Sequence, residues 1–85
     1  ATVSQYSYLC TASHDHRDPS MPLVVAPIVV GREAWIAADV FVGPGVAVAE
    51  GAVVAARATV VRDVPAWSVC AGNPARVVGT RPAFE

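Results

Sequence analysis

Residues 24–64 fall into sixes: VVAPIV (24–29), VGREAW (30–35), IAADVF (36–41), VGPGVA (42–47), VAEGAV (48–53), VAARAT (54–59) and the incomplete VVRDV (60–64). A β-branched residue opens every block: Val24, Val30, Ile36, Val42, Val48, Val54 and Val60. The fifth place holds Ile28, Ala34, Val40, Val46, Ala52, Ala58 and Val64, all apolar and mostly small. The second holds Val25, Gly31, Ala37, Gly43, Ala49, Ala55 and Val61. Val and Ile supply 15 of these 41 residues. Seven hits in one phase are therefore roughly a one-in-a-thousand accident. A period of six matches neither a helix face nor an alternating strand. It predicts a β-solenoid in which each hexad is one short strand and one corner.

The chemistry of each place explains the period. A β-branched side chain packs well on a pleated surface and fills the middle of a narrow prism. The next residue must be small where corners crowd, and the fifth place points inward again. Successive coils then stack about 4.8 Å apart through parallel ladders. With three hexads per coil, residues 18 apart become neighbours.

Toward the N-terminus the rhythm returns, shifted, at Val3 and Leu9. Counting Val24 as the next core residue after Leu9 implies nine inserted residues, within the polar, proline-bearing stretch Asp15–Leu23. Residues 15–23 are expected to form a loop thrown out from a corner. The total is nine hexads, or about three coils. One β-helix domain is expected over residues 1–76, with residues 77–85 as a C-terminal tail lying on the body or frayed. The chain opens directly in a working hexad, without an initiating Met or a capping segment. Solenoid ends need cover, so either preceding coils are missing, which is the working expectation, or another molecule covers the open end.

Composition narrows the function classes. Of 85 residues, 54% are hydrophobic and 15% charged, which favours outer faces partly covered by partners. The formal net charge of −1 gives no case for nucleic acid or an anionic membrane. No apolar run approaches the roughly 18 residues of a membrane span, and no signal-peptide pattern opens the chain. A cytoplasmic location is the simplest expectation. Cys10 and Cys70 form no metal or redox motif and are expected to be buried thiols.

The ordered set Ser13-His-Asp, Ala26-Pro-Ile-Val-Val-Gly, Ala34-Trp-Ile-Ala, Gly43-Pro-Gly-Val, Val61-Arg-Asp-Val-Pro and Ala71-Gly-Asn-Pro-Ala-Arg resembles the hexapeptide-repeat acyltransferases. Within them it is most similar to sugar O-acetyltransferases of the colanic-acid type and to galactoside and maltose acetyltransferases. The resemblance implies a left-handed parallel β-helix, a homotrimer, and acetyl-coenzyme A bound in grooves between subunits. It implies transfer of an acetyl group to a saccharide hydroxyl, without a metal. Handedness does not follow from the period, since right-handed crossovers are the general rule.

On the same resemblance, His14 is the catalytic base, a task that suits an imidazole titrating near neutrality. As a bare residue it is an ordinary loop histidine, and His16 is its competitor. Ser13-His14-Asp15 is no triad, because sequence neighbours cannot supply that geometry. The 18-residue arithmetic puts Thr11, Ala38 and Ala56 in one column with His14, a smooth trough for a pantetheine arm. In the family, positions matching Ala38 and Ala56 contact coenzyme A through backbone groups, and an amide near Ala38 is a candidate for steadying the oxyanion. Trp35 either packs against a neighbouring subunit or borders the acetyl-donor site. Arg62 and Arg76 are candidates for the coenzyme A phosphates, against a plain reading as solvated surface arginines. Val61 replaces the small polar residue common at its place, and Gly79 stands where some relatives have a basic residue. Met21 is a candidate acceptor contact, although the 15–23 loop reads as well as a plain solvent loop.

Two rival functions remain open from sequence. One is a truncated, inactive trimeric scaffold that keeps coenzyme A binding. The other is a zinc site of the β-helical carbonic anhydrase kind, for which His14 and His16 lack a third ligand. The same histidine could also serve an amine acceptor.

Overall fold

The computed structural model describes residues 1–84 and consists of short strands joined by corners. In chain order these are β1 (Thr2–Val3), β2 (Tyr8–Leu9), β3 (Ala12–His14), β4 (Leu23–Val25), β5 (Val29–Val30), β6 (Trp35–Ile36), β7 (Phe41–Val42), β8 (Ala47–Val48), β9 (Val53–Val54), β10 (Thr59–Val60), β11 (Ser68–Ala71) and β12 (Arg76–Thr80). They build a three-walled prism. The first wall stacks β1, β6, β9 and β11 in parallel. The second stacks β2, β7 and β10. The third stacks β5 on β8, and Val64 extends it by a parallel bridge to Val48. Three coils closed by β11 and β12 result, in a body of 49 × 21 × 20 Å.

The inward column is the one the hexads announce. Ile36, Val42, Val48, Val54 and Val60 are fully buried, with Ala34, Val40, Val46, Ala52, Ala58 and Val64 packed between them. Each fully buried Val or Ile is worth about 1.5–3 kcal/mol of removed apolar surface. The ladder joins each coil to the next, as in the Trp35 N–H donating to the Ala52 carbonyl at 2.8 Å. The 18-residue spacing holds for Val29 with Ala47, Trp35 with Val53, and Phe41 with Thr59. In the last coil it shortens to 16, with Cys70 over Val54.

The first coil corrects the count made from sequence. Val3 lies against Ile36 and Leu9 against Val42, both 33 residues apart, 15 more than one coil. The insertion is thus 15 residues, and Val30 is the third core residue of the first coil. Val24 is not in the core. It is 46% exposed on β4, which pairs antiparallel with β3 (His14 opposite Leu23) to form a hairpin projecting from the corner after β2. Val24 matches the rhythm because alternation within a two-stranded ribbon also favours a β-branched residue there. The tail expected to lie on the body or fray begins within a strand. That strand, β12, pairs antiparallel with β11, so residues 77–80 are the outermost strand of the first wall.

The corners stack as regularly as the walls. At the corner after the first wall, Tyr6, Asp39 and Arg57 all have left-handed backbone, with φ of 63°, 57° and 64°. At the corner after the third wall the same conformation is held by Glu33, Gly51 and Trp67. Left-handed backbone costs a non-glycine residue about 1–2 kcal/mol. In the second and third coils each such N–H is satisfied by the coil before it: Asp39 donates to Gln5, Arg57 to Ala38, Gly51 to Arg32 and Trp67 to Glu50 at 2.9–3.0 Å. Small residues are needed where backbones converge. A Cβ on Gly31 would meet the Glu50 nitrogen at 2.6 Å, and one on Gly51 would enter the Trp67 ring. Over this corner the chain end is strapped down by Arg81. Its guanidinium donates to the Glu33 carbonyl at 2.8 Å and lies 4.3 Å from the Phe84 ring centroid and 5.7 Å from that of Trp67. No helix of the described residues is long and apolar enough to cross a membrane.

Denaturant unfolding tests both assignments. Ile36→Ala is expected to cost about 2–5 kcal/mol, and Val24→Ala under about 1 kcal/mol, as at an exposed position. Equal losses would return Val24 to the core. Gly51→Ala is expected to cost about 2–3 kcal/mol from backbone strain and the clash with Trp67. In the double variant with Trp67→Ala the two losses should add to less than their sum, since the clash disappears.

Candidate functional site

The hairpin made by β3 and β4 carries His14 at the end of β3. Its base is closed by the Ala26 N–H donating to the Thr11 carbonyl at 2.9 Å, and its tip by the Asp15 N–H donating to Pro22 at 3.0 Å. The imidazole is exposed, and its Nδ1 lies 2.8 Å from the Met21 carbonyl. A carbonyl only accepts, so this bond requires the proton on Nδ1 and leaves the Nε2 lone pair free. Met21 makes this contact through its backbone, held in the left-handed region at φ 51°, while its side chain is 48% exposed. Ser13, Asp15, His16, Arg17 and Val24 surround His14 in an open pocket of about 340 Å³.

Two aspartates order the loop tip. The Asp15 carboxylate accepts from the Arg17 N–H at 3.0 Å and from Arg17 Nε at 3.2 Å. The Asp18 carboxylate accepts from both the N–H and the hydroxyl of Ser20 at 2.9 Å, and these bonds hold its pKa below the ordinary 3.8. The loop read from sequence as a possible plain solvent excursion is therefore an internally bonded turn.

A second, larger groove of about 540 Å³ runs along the corner after the first wall. It is lined by Ser4, Gln5, Trp35, Ala37, Ala38, Val53, Ala55 and Ala56. Trp35 stands on the outer face of β6, 46% exposed, and its indole N–H donates to the Ser4 hydroxyl at 3.0 Å. Among the described residues the Ala38 and Ala56 N–H groups have no hydrogen-bond partner, while the Ala38 carbonyl accepts from Arg57. Trp35, Ala38 and Ala56 thus line one groove. Their column, however, begins at Gln5 and not at Thr11, because of the miscounted insertion. His14 is not in it. The histidine projects from the corner after the second wall, and the two grooves share no residue.

The remaining candidates lie toward the C-terminal end. Val61 is 56% exposed and stacks over Gly43 at the corner after the second wall. Arg62 is exposed beside a cleft of about 30 Å³, which also touches Asp63 and Cys70. Arg76 is exposed where β12 begins, after a turn whose Gly72 carbonyl accepts from Thr59 at the end of the Ala38–Ala56 corner. Val61 and Arg62 are therefore on a different corner from Trp35, Ala38 and Ala56. Cys70 is buried, as expected, and burial pushes its thiol pKa up; Cys10 is only half-buried. Ser4, Gln5 and the Asp18–Ser20 turn were not singled out from sequence. For Gln5 the signal was present, since it occupies the third place of the first hexad.

No family model matches the chain. Over all 85 residues it is 49% identical to the Escherichia coli (strain K12) protein that carries the name colanic acid biosynthesis acetyltransferase WcaF, covering 47% of that protein. A hexapeptide-repeat acetyltransferase from Vibrio cholerae, solved with acetyl-coenzyme A, superposes with a TM-score of 0.86 at 31% identity, over 95% of this chain and 47% of that one. A galactoside acetyltransferase in complex with coenzyme A gives 0.85 at 27% identity, over 92% and 42%. The chain thus spans about half the length of these relatives. Their coil sense settles the handedness that the period left open. Over its whole length the chain is similar in sequence to the hexapeptide-repeat acetyltransferases, and it shares their left-handed β-helical fold.

Proposed function

We propose that the chain takes part in acetyl-coenzyme-A-dependent O-acetylation of a saccharide hydroxyl, with His14 as general base. The observation that carries this reading is the Nδ1–H bond to the Met21 carbonyl, which leaves Nε2 exposed as a lone-pair acceptor. Nε2 takes the proton of the acceptor hydroxyl as its oxygen attacks the thioester carbonyl carbon. The carbon–sulfur bond then breaks, and the departing thiolate recovers that proton from the imidazolium. An amide near Ala38, free of partners among the described residues, is suited to the oxyanion that develops meanwhile. The trough along Ala38 and Ala56 suits an extended pantetheine arm, with Trp35 bordering the acetyl end. Arg62 and Arg76 are proposed for the phosphates.

His14 and the trough lie on different corners of one prism. A site that unites them needs a second copy of the chain, which supports a homotrimer with sites between subunits. The saccharide acceptor is proposed from the colanic acid relative. Its contacts, if any come from the hairpin, involve the pocket around His14 and the exposed Met21 side chain. The cytoplasm is where this reading has the chain act.

Release of free thiol from acetyl-coenzyme A over a panel of sugars tests the proposal. His14→Ala is expected to lower kcat by about 10²–10⁴, while His16→Ala keeps most of the rate. An unchanged rate in His14→Ala would remove this residue from the mechanism. Coenzyme A binding with no turnover at any sugar would favour the scaffold reading. Ala56→Leu, which fills the trough from an exposed position, should raise the acetyl-coenzyme A KM about tenfold, a loss of roughly 1.4 kcal/mol. An unaltered KM would place the donor elsewhere.

A further inference from the structure

The bond that leaves Nε2 free depends on a carbonyl held in an uncommon place. Met21 is an unbranched residue in left-handed backbone, a conformation that its own side chain does nothing to favour. What holds it is the turn before it. The Asp18 carboxylate binds the N–H and the hydroxyl of Ser20 at 2.9 Å, and the Asp18 carbonyl accepts the Met21 N–H at 2.9 Å. One residue thus grips both sides of the step that turns the Met21 carbonyl toward His14. Among the described residues the Asp18 carboxylate makes no hydrogen bond or ion pair with the imidazole.

We propose that Asp18 is a positioning residue for His14, acting through the Asp18–Met21 turn to keep the proton on Nδ1 and the Nε2 lone pair outward. The contribution of Met21 then lies in its carbonyl oxygen, and its thioether is dispensable for this role. An isolated imidazole exchanges freely between its two tautomers. Here the acceptor at 2.8 Å selects one of them before any substrate arrives. For catalysis the inference rests on His14 being the base, but the tautomer itself is independent of that reading.

The decisive measurement is the long-range proton–nitrogen spectrum of His14 in the 15N-labelled 85-residue chain, at a pH where the ring is neutral. The native chain is expected to show the Nδ1–H form. Asp18→Ala should shift the ring toward the Nε2–H form, and Asp18→Asn, which keeps an acceptor oxygen, should restore the native pattern. Ser20→Ala, which removes the hydroxyl and leaves the backbone bond, should give a smaller shift. Met21→Gly, which keeps the carbonyl in a conformation glycine adopts freely, should leave the tautomer unchanged. A native Nε2–H ring, or an Asp18→Ala ring identical to the native one, overturns the proposal.

In the thiol-release assay Asp18→Ala should lower kcat about tenfold, part of the 10²–10⁴ that a positioned base supplies, at an unchanged acetyl-coenzyme A KM. A native chain without turnover would instead overturn the enzyme reading, leaving the spectrum to decide the role of Asp18.

Discussion

Each coil of this molecule must set an apolar, mostly β-branched side chain directly over the one below, about 4.8 Å away, or the parallel ladder and the dry interior fail together. The columns Val3–Ile36–Val54–Cys70, Leu9–Val42–Val60 and Val30–Val48–Val64 are that constraint made visible. Strands of two residues would be worthless alone. Their stability comes from stacking, as in other repeat architectures, where each unit is held by its neighbours. Among the described residues the buried interior is apolar except for Ser68, whose hydroxyl is satisfied by donating to the Pro65 carbonyl at 2.6 Å. The chemistry is pushed to corners, outer faces and the single insertion.

Corners follow from the same spacing. A three-walled prism must turn sharply between two-residue strands, and the left-handed conformation makes that turn. The molecule accepts it at Tyr6, Glu33, Asp39, Arg57 and Trp67, none of them glycine. Bonds to the preceding coil satisfy the turned amides of Asp39, Arg57 and Trp67, so the stack itself offsets their strain. At Gly51 no side chain fits, because the Trp67 ring lies against the backbone. Arg81 then binds across the same corner and ties the last segment to coils far apart in sequence. Ion pairs such as Arg32–Glu50, at 3.3 Å and well exposed, decorate these corners and add little, under about 1 kcal/mol each.

The insertion is where the fold meets chemistry. A hairpin leaves the corner after the second wall, and its turn presents a carbonyl to His14. A trough of small residues, whose Ala38 and Ala56 amides have no partner among the described residues, follows the corner after the first wall. One prism holds these parts on separate edges. That separation is a geometric fact of the triangular cross-section. The sequence reading put His14 and Ala38 in one column because Val24 kept perfect time with the repeat. Periodicity records a preference for β-branched residues and carries no label for which strand is inward, so a hairpin strand in phase passes for a rung.

By itself the sequence determined the period, the coil length of 18, the inward residues from Val30 to Val64, the small residues at the crowded corners and the existence of an outward loop. These are local consequences of side-chain shape repeated at a fixed interval, and a linear pattern expresses them fully. Only the tertiary structure decided the size of the insertion, the replacement of Thr11 by Gln5 in the column, the strand at Arg76–Thr80 and the acceptor for the His14 Nδ1 proton. Each of these depends on which distant backbone groups become neighbours. A carbonyl carries no residue identity, so its position could emerge only when the chain was folded.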